Sequence, residues 1–540
     1  MPALKNWTMS DLLAHAAEQY GDKPAVTYSK VTWTYEELDR TADRLAAGLL
    51  SIGVRHGTHV AILAEPGLYS VAMFYAVQRI GAVAVMICTT LMPDEFAYQM
   101  DLGDAEYLLY NRSNHQSVDL SELIRQGLPA DHTLKKIVYL GQEWQDGNPG
   151  CHWLMEQGAS VSPEELAAAK AAVRPEDTAG ILFTSGTTSK PKAVMISHYA
   201  RVNNGIQEAE YLECTSADRF CVSLPMYHCF CIATILLAAC AVGGCVCIPR
   251  SRHTRDLLTT VSEQHCTIFT NVPTLFHALV NRTDLDQYDF SSLRCGIIAG
   301  STYSAELFHQ VEKTLGYTLM CSLGQTECTG GITTGQLSDS SEIRSTTVGH
   351  MFEHVEGKII PLPDDPHVHP VNGVLPAGEA GEFCVRGYLL MQGYYKRPEL
   401  TAKTIDADGW LHSGDLGYFD ENGYLHLTGR IKDLIIRGGE NIAPAEIESF
   451  ISQIPGVKEC KVLGVPDDHY GEEICACIMA APDAGITDQQ VLDFLGSRLA
   501  SFKQPRYVLF FEDFPRTSIG KIRPGDLKQQ AIARLGLSAQ

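Results

Sequence analysis

The chain has 540 residues, with 42 basic and 64 acidic side chains and a formal charge of −22 at pH 7. Chains beyond about 250–300 residues tend to divide their hydrophobic core, so we predict at least two domains. Because nucleic acids and anionic membranes are bound by basic surfaces, the acidic balance argues against both as partners. A phosphate-bearing small molecule would need a local cluster of Lys, Arg or backbone N–H groups.

The amino-terminal residues and the cysteines predict a cytoplasmic protein. Residues 1–20 contain one Lys, no Arg and both Asp and Glu, which resembles neither a secretory signal nor a mitochondrial transit peptide. The 17 cysteines are scattered, and many lie in apolar runs such as Cys245-Val246-Cys247-Ile248. We therefore predict buried, reduced thiols rather than disulfides or a zinc site.

Helix and strand patterns alternate along the first 350 residues or so. Thr34 and Glu37 form a capping box at the start of an amphipathic helix, because each side chain can satisfy the other's backbone N–H. The apolar run 60–63 predicts a buried strand, residues 70–81 a helix and residues 82–88 another strand. This alternation predicts parallel sheets covered by helices, an α/β fold.

A loop rich in hydroxyl groups follows the apolar run Ile181-Leu182-Phe183. Residues 184–192 read Thr-Ser-Gly-Thr-Thr-Ser-Lys-Pro-Lys. Small hydroxylated residues let the backbone approach phosphate oxygens, and Ser, Thr and Lys donate hydrogen bonds to them. The spacing is not that of a Walker A loop, and an inert Ser/Thr/Gly loop is the alternative interpretation.

One stretch is long enough to be tested as a membrane span. Residues 229–248 carry no charge over 20 positions, the length of a spanning helix. However, Gly243-Gly244 divides the run into a helix-length piece and a strand-length piece. We therefore predict a buried helix followed by a buried strand and no transmembrane segment.

The character of the sequence changes near residue 352. Turn signals such as Asn372-Gly373 and Asp408-Gly409 separate short β segments, which predicts a β-rich subdomain over about 352–432.

The last hundred residues have the pattern of a compact α+β unit. Pro444 fits the first turn of a helix, and two strands are predicted near 459–465 and 474–480. Thr487 and Gln490 form a second capping box before another amphipathic helix.

The 184–192 loop resembles the phosphate loop of the adenylate-forming superfamily of acyl-CoA synthetases, nonribosomal peptide adenylation domains and luciferases. The family pattern is T-S-G-T-T-G-x-P-K-G, and this chain has Ser189 and Ala193 where glycine is usual. The resemblance implies that ATP is bound by residues of this loop, namely Thr184, Ser185, Gly186, Thr187, Thr188 and Lys192.

The segment Leu323-Gly324-Gln325-Thr326-Glu327 resembles the family motif Y-G-x-T-E. The resemblance implies that Thr326 contacts the α-phosphate and that Glu327 holds Mg²⁺, for which a carboxylate is a suitable ligand. It also places Leu323, Gly324 and Gln325 beside the nucleotide. Leu323 replaces the aromatic residue that stacks on adenine, so this contact keeps its shape and loses its π face.

Two further segments resemble family motifs that hold the ribose. Trp410-Leu411-His412-Ser413-Gly414-Asp415 is similar to W-x-x-T/S-G-D, and Gly429-Arg430-Ile431-Lys432-Asp433 follows it. The resemblance implies that Asp415 accepts hydrogen bonds from both ribose hydroxyls and that Arg430 contacts ribose or phosphate. Asp433 would be the hinge where the small carboxyl-terminal domain begins.

The carboxyl-terminal domain carries two more matches. Gly438 and Gly439 lie in a segment that, in acyl-CoA synthetases, lines the pantetheine tunnel of coenzyme A. Alternatively this segment is only a tight turn before the Pro444 helix. Pro515 to Lys521 matches P-x-T-x-x-G-K, which implies that Lys521 is the catalytic lysine of adenylation rather than a solvated charge.

Three residues are candidates for the acyl pocket and its border. His228, in Pro225-Met226-Tyr227-His228, matches P-x-F/Y-H and is interpreted either as a gate of the pocket or as a core histidine. Gly300 and Ser301 match the loop that flanks adenine and the acyl group, although the strand before them is equally consistent with plain core.

Together, the resemblance implies an ATP-dependent carboxylic acid:CoA ligase that uses ATP, Mg²⁺ and coenzyme A. It implies an ATP- and acyl-binding domain over 1–432 and a mobile domain over 433–540 that carries the catalytic lysine. The alternatives are a carrier-protein-loading adenylation enzyme, a luciferase-like oxidase and a non-catalytic nucleotide-binding regulator.

The acid is predicted from the segments expected to line its pocket. These segments are mostly small or apolar and contain no obvious cationic anchor; they are 228–233, 298–301, 321–323 and 328–332. A medium-chain fatty acid is therefore the first expectation, with aryl and branched acids open.

Overall fold

The computed structural model describes residues 3–112, 119–129, 131–184, 191–301, 303–362, 373–438, 440–467, 469–481, 484–516 and 522–537. The chain forms two compact units. The first takes the described residues of 1–185, 190–356 and 386–407, and the second takes those of 357–385 and 408–540.

The described residues form α-helices, strands and single turns of tighter or wider helix. The helices are α1 Met9–Tyr20, α2 Tyr35–Ser51, α3 Leu68–Arg79, α4 Pro93–Leu102, α5 Leu120–Gly127, α6 Cys151–Gln157, α7 Pro163–Ala171, α8 His198–Tyr211, α9 Cys229–Cys231, α10 Ala238–Val242, α11 Thr254–Glu263, α12 Pro273–Val280, α13 Ala305–Leu315, α14 Ser341–Thr346, α15 Pro398–Thr404, α16 Pro444–Ile451, α17 Asp488–Gly496 and α18 Pro524–Leu535. Short 3₁₀ turns cover Gly158–Ser160, Leu285–Gln287, Thr326–Cys328, Ile431–Asp433 and Ser501–Lys503, and a π-helical turn covers Ile232–Leu237.

The strands are β1 Pro24–Tyr28, β2 Val31–Thr34, β3 His59–Leu63, β4 Val83–Met86, β5 Tyr107–Tyr110, β6 Lys136–Tyr139, β7 Thr178–Phe183, β8 Ala193–Ser197, β9 Arg219–Cys221, β10 Cys245–Ile248, β11 Cys295–Ile298, β12 Thr318–Gly324, β13 Gly331–Thr334, β14 His350–Met351, β15 Val355–Ile360, β16 Gly381–Gly387, β17 Gly393–Tyr394, β18 Leu411–Phe419, β19 Leu425–Arg430, β20 Ile435–Arg437, β21 Glu440–Ile442, β22 Val457–Asp467, β23 Gly471–Ala480 and β24 Tyr507–Phe510.

A seven-stranded sheet of the first unit carries the hydroxyl-rich loop at one end of its strands. Its order is β17-β8-β7-β4-β3-β5-β6. The pairs β7–β4, β4–β3, β3–β5 and β5–β6 are parallel, as predicted, whereas β7–β8 and β8–β17 are antiparallel. The antiparallel pair follows from the loop itself, because a chain that returns directly from β7 can only run antiparallel to it.

Two four-stranded sheets complete the first unit, with the orders β2-β1-β10-β9 and β11-β12-β13-β14. Single parallel bridges from Ile268 to Phe220 and to Cys295 join their edges. The capping box of Thr34 and Glu37 is present and begins α2, whose apolar face is buried.

The uncharged stretch 229–248 folds inside the first unit. It forms α9, the π-helical turn and α10, and then strand β10, so the predicted helix followed by a strand is confirmed. The π-helical turn Ile232–Leu237 was not predicted, because nothing in an apolar run distinguishes a π turn from an α turn. None of the helices in the described ranges has the length and apolarity that a bilayer crossing requires.

The second unit consists of two sheets. The β-rich part is a four-stranded sheet of order β15-β16-β18-β19, in which β16–β18 and β18–β19 are antiparallel. The carboxyl-terminal part is a five-stranded sheet of order β21-β20-β23-β22 with β24 on β23, and it packs with α16 and α17 around the buried side chains of Ile447, Ile474 and Val491. The α/β class with a β-rich sheet and an α+β unit is thus confirmed.

All 17 cysteines are free thiols, as predicted. Most are buried, and the pairs Cys245/Cys247 and Cys475/Cys477 lie on strands β10 and β23. Burial raises the pKa of Cys151 and Cys231, so these thiols behave as small apolar side chains.

Candidate active site

The base of the hydroxyl-rich loop is fixed where β7 ends and β8 begins. The backbone N–H of Thr184 donates to the carbonyl of Lys192 (3.0 Å), and the N–H of Lys192 lies 3.4 Å from Thr184 Oγ1. These two bonds define the ends of the loop. The other predicted ATP-binding residues of the loop lie outside the described residues; they are Ser185, Gly186, Thr187 and Thr188, with Ser189 beside them.

A chain of hydrogen bonds connects the loop to Glu327. Strand β17 pairs with β8 so that Tyr394 lies opposite Val194, which brings Tyr394 beside Lys192. The Lys192 ammonium lies 3.2 Å from the Tyr394 hydroxyl and 4.5 Å from its ring centre. That hydroxyl donates to Glu327 Oε1 at 2.8 Å. Burial and the neighbouring carboxylate of Glu327 raise the pKa of Tyr394, so the phenol stays protonated and remains a donor.

Glu327 lies on a short turn between two antiparallel strands. β12 ends at Gly324, the 3₁₀ turn Thr326–Cys328 follows, and β13 begins at Gly331. The carbonyl of Glu327 accepts a hydrogen bond from the N–H of Met391 at 2.8 Å, which fixes the turn. Thr326 and Glu327 are therefore held close to the end of the hydroxyl-rich loop, in the same unit.

The predicted nucleotide-flanking residues lie at the end of β12. Leu323 is buried and its N–H lies 3.3 Å from Thr333 Oγ1, while Gly324 lies opposite Gly331 in the antiparallel pair. The N–H of Gln325 donates to the carbonyl of Gly330 at 3.1 Å. This hydrogen bonding sets the direction in which Gln325 leaves the strand.

His228 also lies near the Glu327 turn. It immediately precedes α9, is half-buried, and its ring centre lies 4.8 Å from that of Tyr227. The next residue, Cys229, places its Sγ 3.8 Å from Thr326 Oγ1, which connects the two predicted segments.

Gly300 and Ser301 follow strand β11 and are exposed. Gly300 has φ +93°, a left-handed conformation that favours glycine. A β-carbon at position 300 would lie 3.3 Å from Val272 Cγ1, so this loop also passes close to α12.

In the second unit, the structure brings Asp415 and Arg430 together. They lie opposite each other on β18 and β19, where facing side chains of opposite charge interact favourably. Arg430 Nε lies 2.7 Å from Asp415 Oδ1; the Asp415 side chain is 3% exposed and that of Arg430 is 49% exposed. The pair can therefore present one buried acceptor and one accessible cation to a ligand.

A buried Glu–His pair supports the segment that carries Asp415. His412 Nδ1 lies 3.1 Å from Glu382 Oε2, and the N–H of Gly414 donates to Glu382 Oε1 at 3.3 Å. The hydroxyl of Ser413 donates to the carbonyl of Phe383 and accepts from the N–H of Asp415. These bonds fix the 412–415 segment against β16.

Glu382 and His412 also form a cluster with Cys384 in which the possible ligand atoms all lie within 4.8 Å of one another. Such a set of oxygen, nitrogen and sulfur donors could hold a metal ion. The same donors already hydrogen-bond one another, with Cys384 Sγ 3.7 Å from His412 Nδ1, which accounts for the cluster without an ion.

The predicted hinge and coenzyme A segments lie at the start of the carboxyl-terminal sheet. Asp433 ends the 3₁₀ turn between β19 and β20, and Gly438 follows β20 with φ +61°. The N–H of Gly438 donates to the carbonyl of Tyr470 at 2.8 Å. Arg437 lies over the Tyr470 ring and pairs with the buried Glu473 at 2.6 Å, which anchors the turn. Gly439 and Lys521 lie outside the described residues.

Two residues of the site were not predicted from the sequence. Tyr394 has no motif that assigns it a partner, and its role follows only from the pairing of β17 with β8. Glu382 lies 30 residues before His412, and only the sheet shows that the two side chains meet. A Gly-Tyr-Tyr run and a lone Glu on a strand carry no signal of this kind.

Comparisons with known proteins show the family of the chain. The family model described as "AMP-binding enzyme" matches residues 13–395, and the model described as "AMP-binding enzyme C-terminal domain" matches residues 446–521. Together they include the hydroxyl-rich loop, the Glu327 turn and Lys521.

Among curated relatives, the "Acyl-CoA ligase sidI" of Aspergillus fumigatus is 33% identical over 551 residues, covering 98% of this chain and 92% of that protein. The "Medium-chain acyl-CoA ligase ACSF2, mitochondrial" of Danio rerio is 31% identical over 557 residues, covering 99% and 90%. Among solved structures, the anthranilate CoA ligase AuaEII in complex with anthranoyl-AMP has a TM-score of 0.85 at 26% identity and covers 99% of each chain. The chain therefore belongs to the AMP-binding enzyme family and is an AMP-forming ligase of the acyl-CoA synthetase type.

Proposed function

We propose that this protein is an ATP-dependent carboxylic acid:CoA ligase that works through an acyl-adenylate. The observation that carries the proposal is the chain from Lys192 through Tyr394 to Glu327, because it joins three separate segments of the sequence around one polar centre. A cation, a neutral donor and a carboxylate held together in this way suit the binding of a polyphosphate and its counter-ion.

In the first half-reaction, an oxygen of the substrate carboxylate attacks the α-phosphorus of ATP, and the bond to the departing pyrophosphate breaks. Lys192 and the loop after Thr184 bind and orient the phosphates, so that charge developing on their oxygens meets fixed donors. The carboxylate of Glu327 fits Mg²⁺ as a hard oxygen ligand, and the ion, when bound, offsets phosphate charge. Tyr394 holds Glu327 in place by its hydrogen bond.

The nucleoside end of ATP is assigned to the second unit. Asp415 would accept hydrogen bonds from the ribose hydroxyls, and Arg430 would share that contact with ribose or phosphate. In this assignment the Glu382–His412 pair is a positioning element, because it fixes the segment that presents Asp415.

In the second half-reaction, the thiol sulfur of coenzyme A attacks the acyl carbonyl, the bond to AMP breaks and the thiol proton passes to solvent. The Gly438–Gly439 turn is assigned to the pantetheine arm, since glycines permit close approach of a ligand to the backbone. Lys521 is assigned to the first half-reaction, and rotation about Asp433 would exchange the two elements.

The acid is proposed to be aliphatic and of medium length. The segments expected to line its pocket contain buried apolar side chains such as Ile232, Ile298 and Ile332. The similarity to the medium-chain ligase of Danio rerio supports this class. A role in fatty acid metabolism and a reducing, cytoplasmic location follow as parts of the same proposal, the latter supported by the free thiols.

A lysine variant separates the two half-reactions. We expect Lys521→Ala to abolish acid-dependent exchange of pyrophosphate into ATP while sparing thioester formation from supplied acyl-adenylate. Lys528→Ala, a lysine of α18 that pairs with Glu472, is the matched control and should leave both rates near those of the parent protein. Equal loss of both half-reactions in Lys521→Ala would contradict the assigned role.

A further inference from the structure

Two polar side chains of α8 are buried against a pair of glycines. Asn204 and Glu208 are four residues apart, so they lie on the same face of the helix, and they are 0% and 1% exposed. They face Gly330 and Gly331, which follow the Glu327 turn. Neither side chain belongs to the motifs that bind the nucleotide.

The glycines make this approach possible. A β-carbon at position 330 would lie 2.4 Å from Asn204 Oδ1, and one at position 331 would lie 2.3 Å from Glu208 Oε1. The amide of Asn204 donates to the carbonyl of Gly331 at 2.8 Å, which fixes the helix to strand β13. The amide oxygen of Asn204 and the carboxyl of Glu208 are thus held at this strand.

Several buried polar atoms around Glu208 and Asn204 have hydrogen-bonding capacity that the fold does not fully use. Among the described residues, no hydrogen bond of ordinary geometry reaches either carboxyl oxygen of Glu208, the Oδ1 of Asn204 or the hydroxyl of Tyr388. The N–H of Gly331 lies near the Glu208 carboxyl, and the Asn204 amide lies near the Tyr388 hydroxyl. Burial raises the pKa of Glu208 to about 8, with the backbone N–H of Gly331 acting in the opposite direction. Asn204 is also close enough to the hydroxyl of Tyr388 to oppose the rise in its pKa that burial causes. Buried polar groups are rarely left unsatisfied, so a cluster of them calls for an explanation.

The cluster lies against the segments expected to line the acyl pocket. A β-carbon at position 330 would be 2.9 Å from the Cβ of Ala233, which belongs to the π-helical turn Ile232–Leu237. That turn packs on α8, and single π turns occur frequently at functional sites. Gly330 is also tied to Gln325 of the nucleotide segment. The unsatisfied groups therefore lie close to the place where the acid is activated.

We propose that Asn204, Glu208 and Tyr388 are specificity-determining residues that hydrogen-bond a hydroxyl group on the chain of the substrate, so that the preferred acid is a hydroxylated aliphatic acid. This inference rests on the proposed ligase function and names its substrate class. A hydroxyl both donates and accepts, which matches a carboxyl group and an amide oxygen held side by side. An unsubstituted acid leaves these groups unsatisfied, so a pocket of this kind discriminates strongly against it.

The test compares octanoate with the hydroxyoctanoates that carry the hydroxyl at carbons 3 to 8. Acid-dependent exchange of pyrophosphate into ATP gives kcat/KM for each acid with the full-length protein. We expect at least one hydroxyoctanoate to exceed octanoate by about tenfold or more. Glu208→Leu should bring that ratio close to one, and Glu208→Gln, which keeps donor and acceptor atoms, should restore most of it.

Two further variants provide a second test of the hydroxyl contact and a control. Tyr388→Phe removes one hydroxyl without changing the shape and should lower the ratio about fivefold, as expected for one lost hydrogen bond. Glu210→Leu is the matched control, because Glu210 lies on the same helix, is only partly buried and points about 200° away from Glu208. It should leave the ratio unchanged.

Four results would overturn the inference. If octanoate is activated as well as every hydroxyoctanoate, or if folded Glu208→Leu keeps the parental ratio, the hydroxyl assignment is wrong and the ligase function stands. A preference for aminooctanoate would assign Glu208 to an ammonium group instead. If no carboxylate supports exchange, the proposed function fails together with the inference.

Discussion

Glu208 and Glu382 are both buried glutamates, and they differ in what surrounds them. The side chain of Glu382 faces an imidazole and a backbone N–H, and its two oxygens each have a partner. Glu208 is 1% exposed, and within the described part of the chain no hydrogen bond of ordinary geometry reaches its oxygens. A satisfied carboxyl of this kind stabilises its surroundings, whereas an unsatisfied one costs stability unless a ligand completes it.

The two glutamates also differ in where they lie. Glu382 fixes the segment that carries Asp415, so under the proposed function its contribution to activity would be indirect. Glu208 lies beside the glycines that follow the Glu327 turn, where a substrate group can reach it under the assignment above. The glutamate with partners is thus a structural support for the site, and the one without them is a candidate contact.

Among the single substitutions, removal of Glu382 should have the largest effect on stability. Glu382→Ala leaves the buried imidazole of His412 and the N–H of Gly414 without their acceptor, and the free energy of unfolding should fall by about 4 kcal/mol. Urea denaturation followed by fluorescence measures this loss. Glu382→Gln keeps an acceptor for Gly414 and should lose less than half as much. A loss below about 1 kcal/mol for Glu382→Ala would show that the two glutamates do not differ as described.

Titration of Glu208 should make the free energy of unfolding depend on pH. Its ordinary pKa of 4.5 is raised to about 8 in the folded protein. Between these values the folded state binds one more proton than the unfolded state, so the free energy of unfolding falls as pH rises from about 4.5 to about 8 and is level above that. The change should be about 5 kcal/mol, because the pKa rises by about 3.5 units and each unit is worth about 1.4 kcal/mol.

Denaturation of the parent protein and of Glu208→Gln across this pH range isolates the contribution. The difference between the two curves should slope between pH 4.5 and 8, because Gln does not titrate. Parallel curves would mean that Glu208 is ionised in the folded protein and has a partner.

The substitution Tyr394→Phe should have the smallest effect of those considered. It tests a third carboxyl group, that of Glu327. Glu327 has one donor in Tyr394, so Tyr394→Phe should loosen it without emptying the site. We expect kcat for acyl-adenylate formation to fall about tenfold, the value of one hydrogen bond to a charged group, with little change in stability. Tyr395→Phe, which loses a bond to the exposed Asp104, is the control. An unchanged kcat would show that Tyr394 does not help to position Glu327.

The sequence predicts the fold class and the order of the motifs because both depend on local pattern. The capping boxes at Thr34 and Thr487 begin α2 and α17, and Pro444 begins α16 as predicted. Motif residues such as Glu327 and Asp415 can be proposed as ATP contacts because their type and spacing resemble the family motifs.

The remaining features depend on packing that no local pattern contains. No local pattern in α8 shows that Glu208 faces Gly331, since this depends on how β13 passes the helix. The partner of Tyr394 likewise follows from the antiparallel pairing of β17 with β8, two elements nearly 200 residues apart. The sequence therefore yields candidates for the nucleotide contacts more readily than candidates for the acid contacts.

The most direct test of the central claim is the stoichiometry of the complete reaction. The full-length protein is incubated with ATP, Mg²⁺, coenzyme A and the series of octanoates, and the nucleotides and thioesters are quantified by liquid chromatography. We predict AMP and acyl-CoA in equal amounts, with pyrophosphate and no ADP, and no AMP release above background without a carboxylate. Formation of ADP, or AMP released without a matching thioester, would contradict the account.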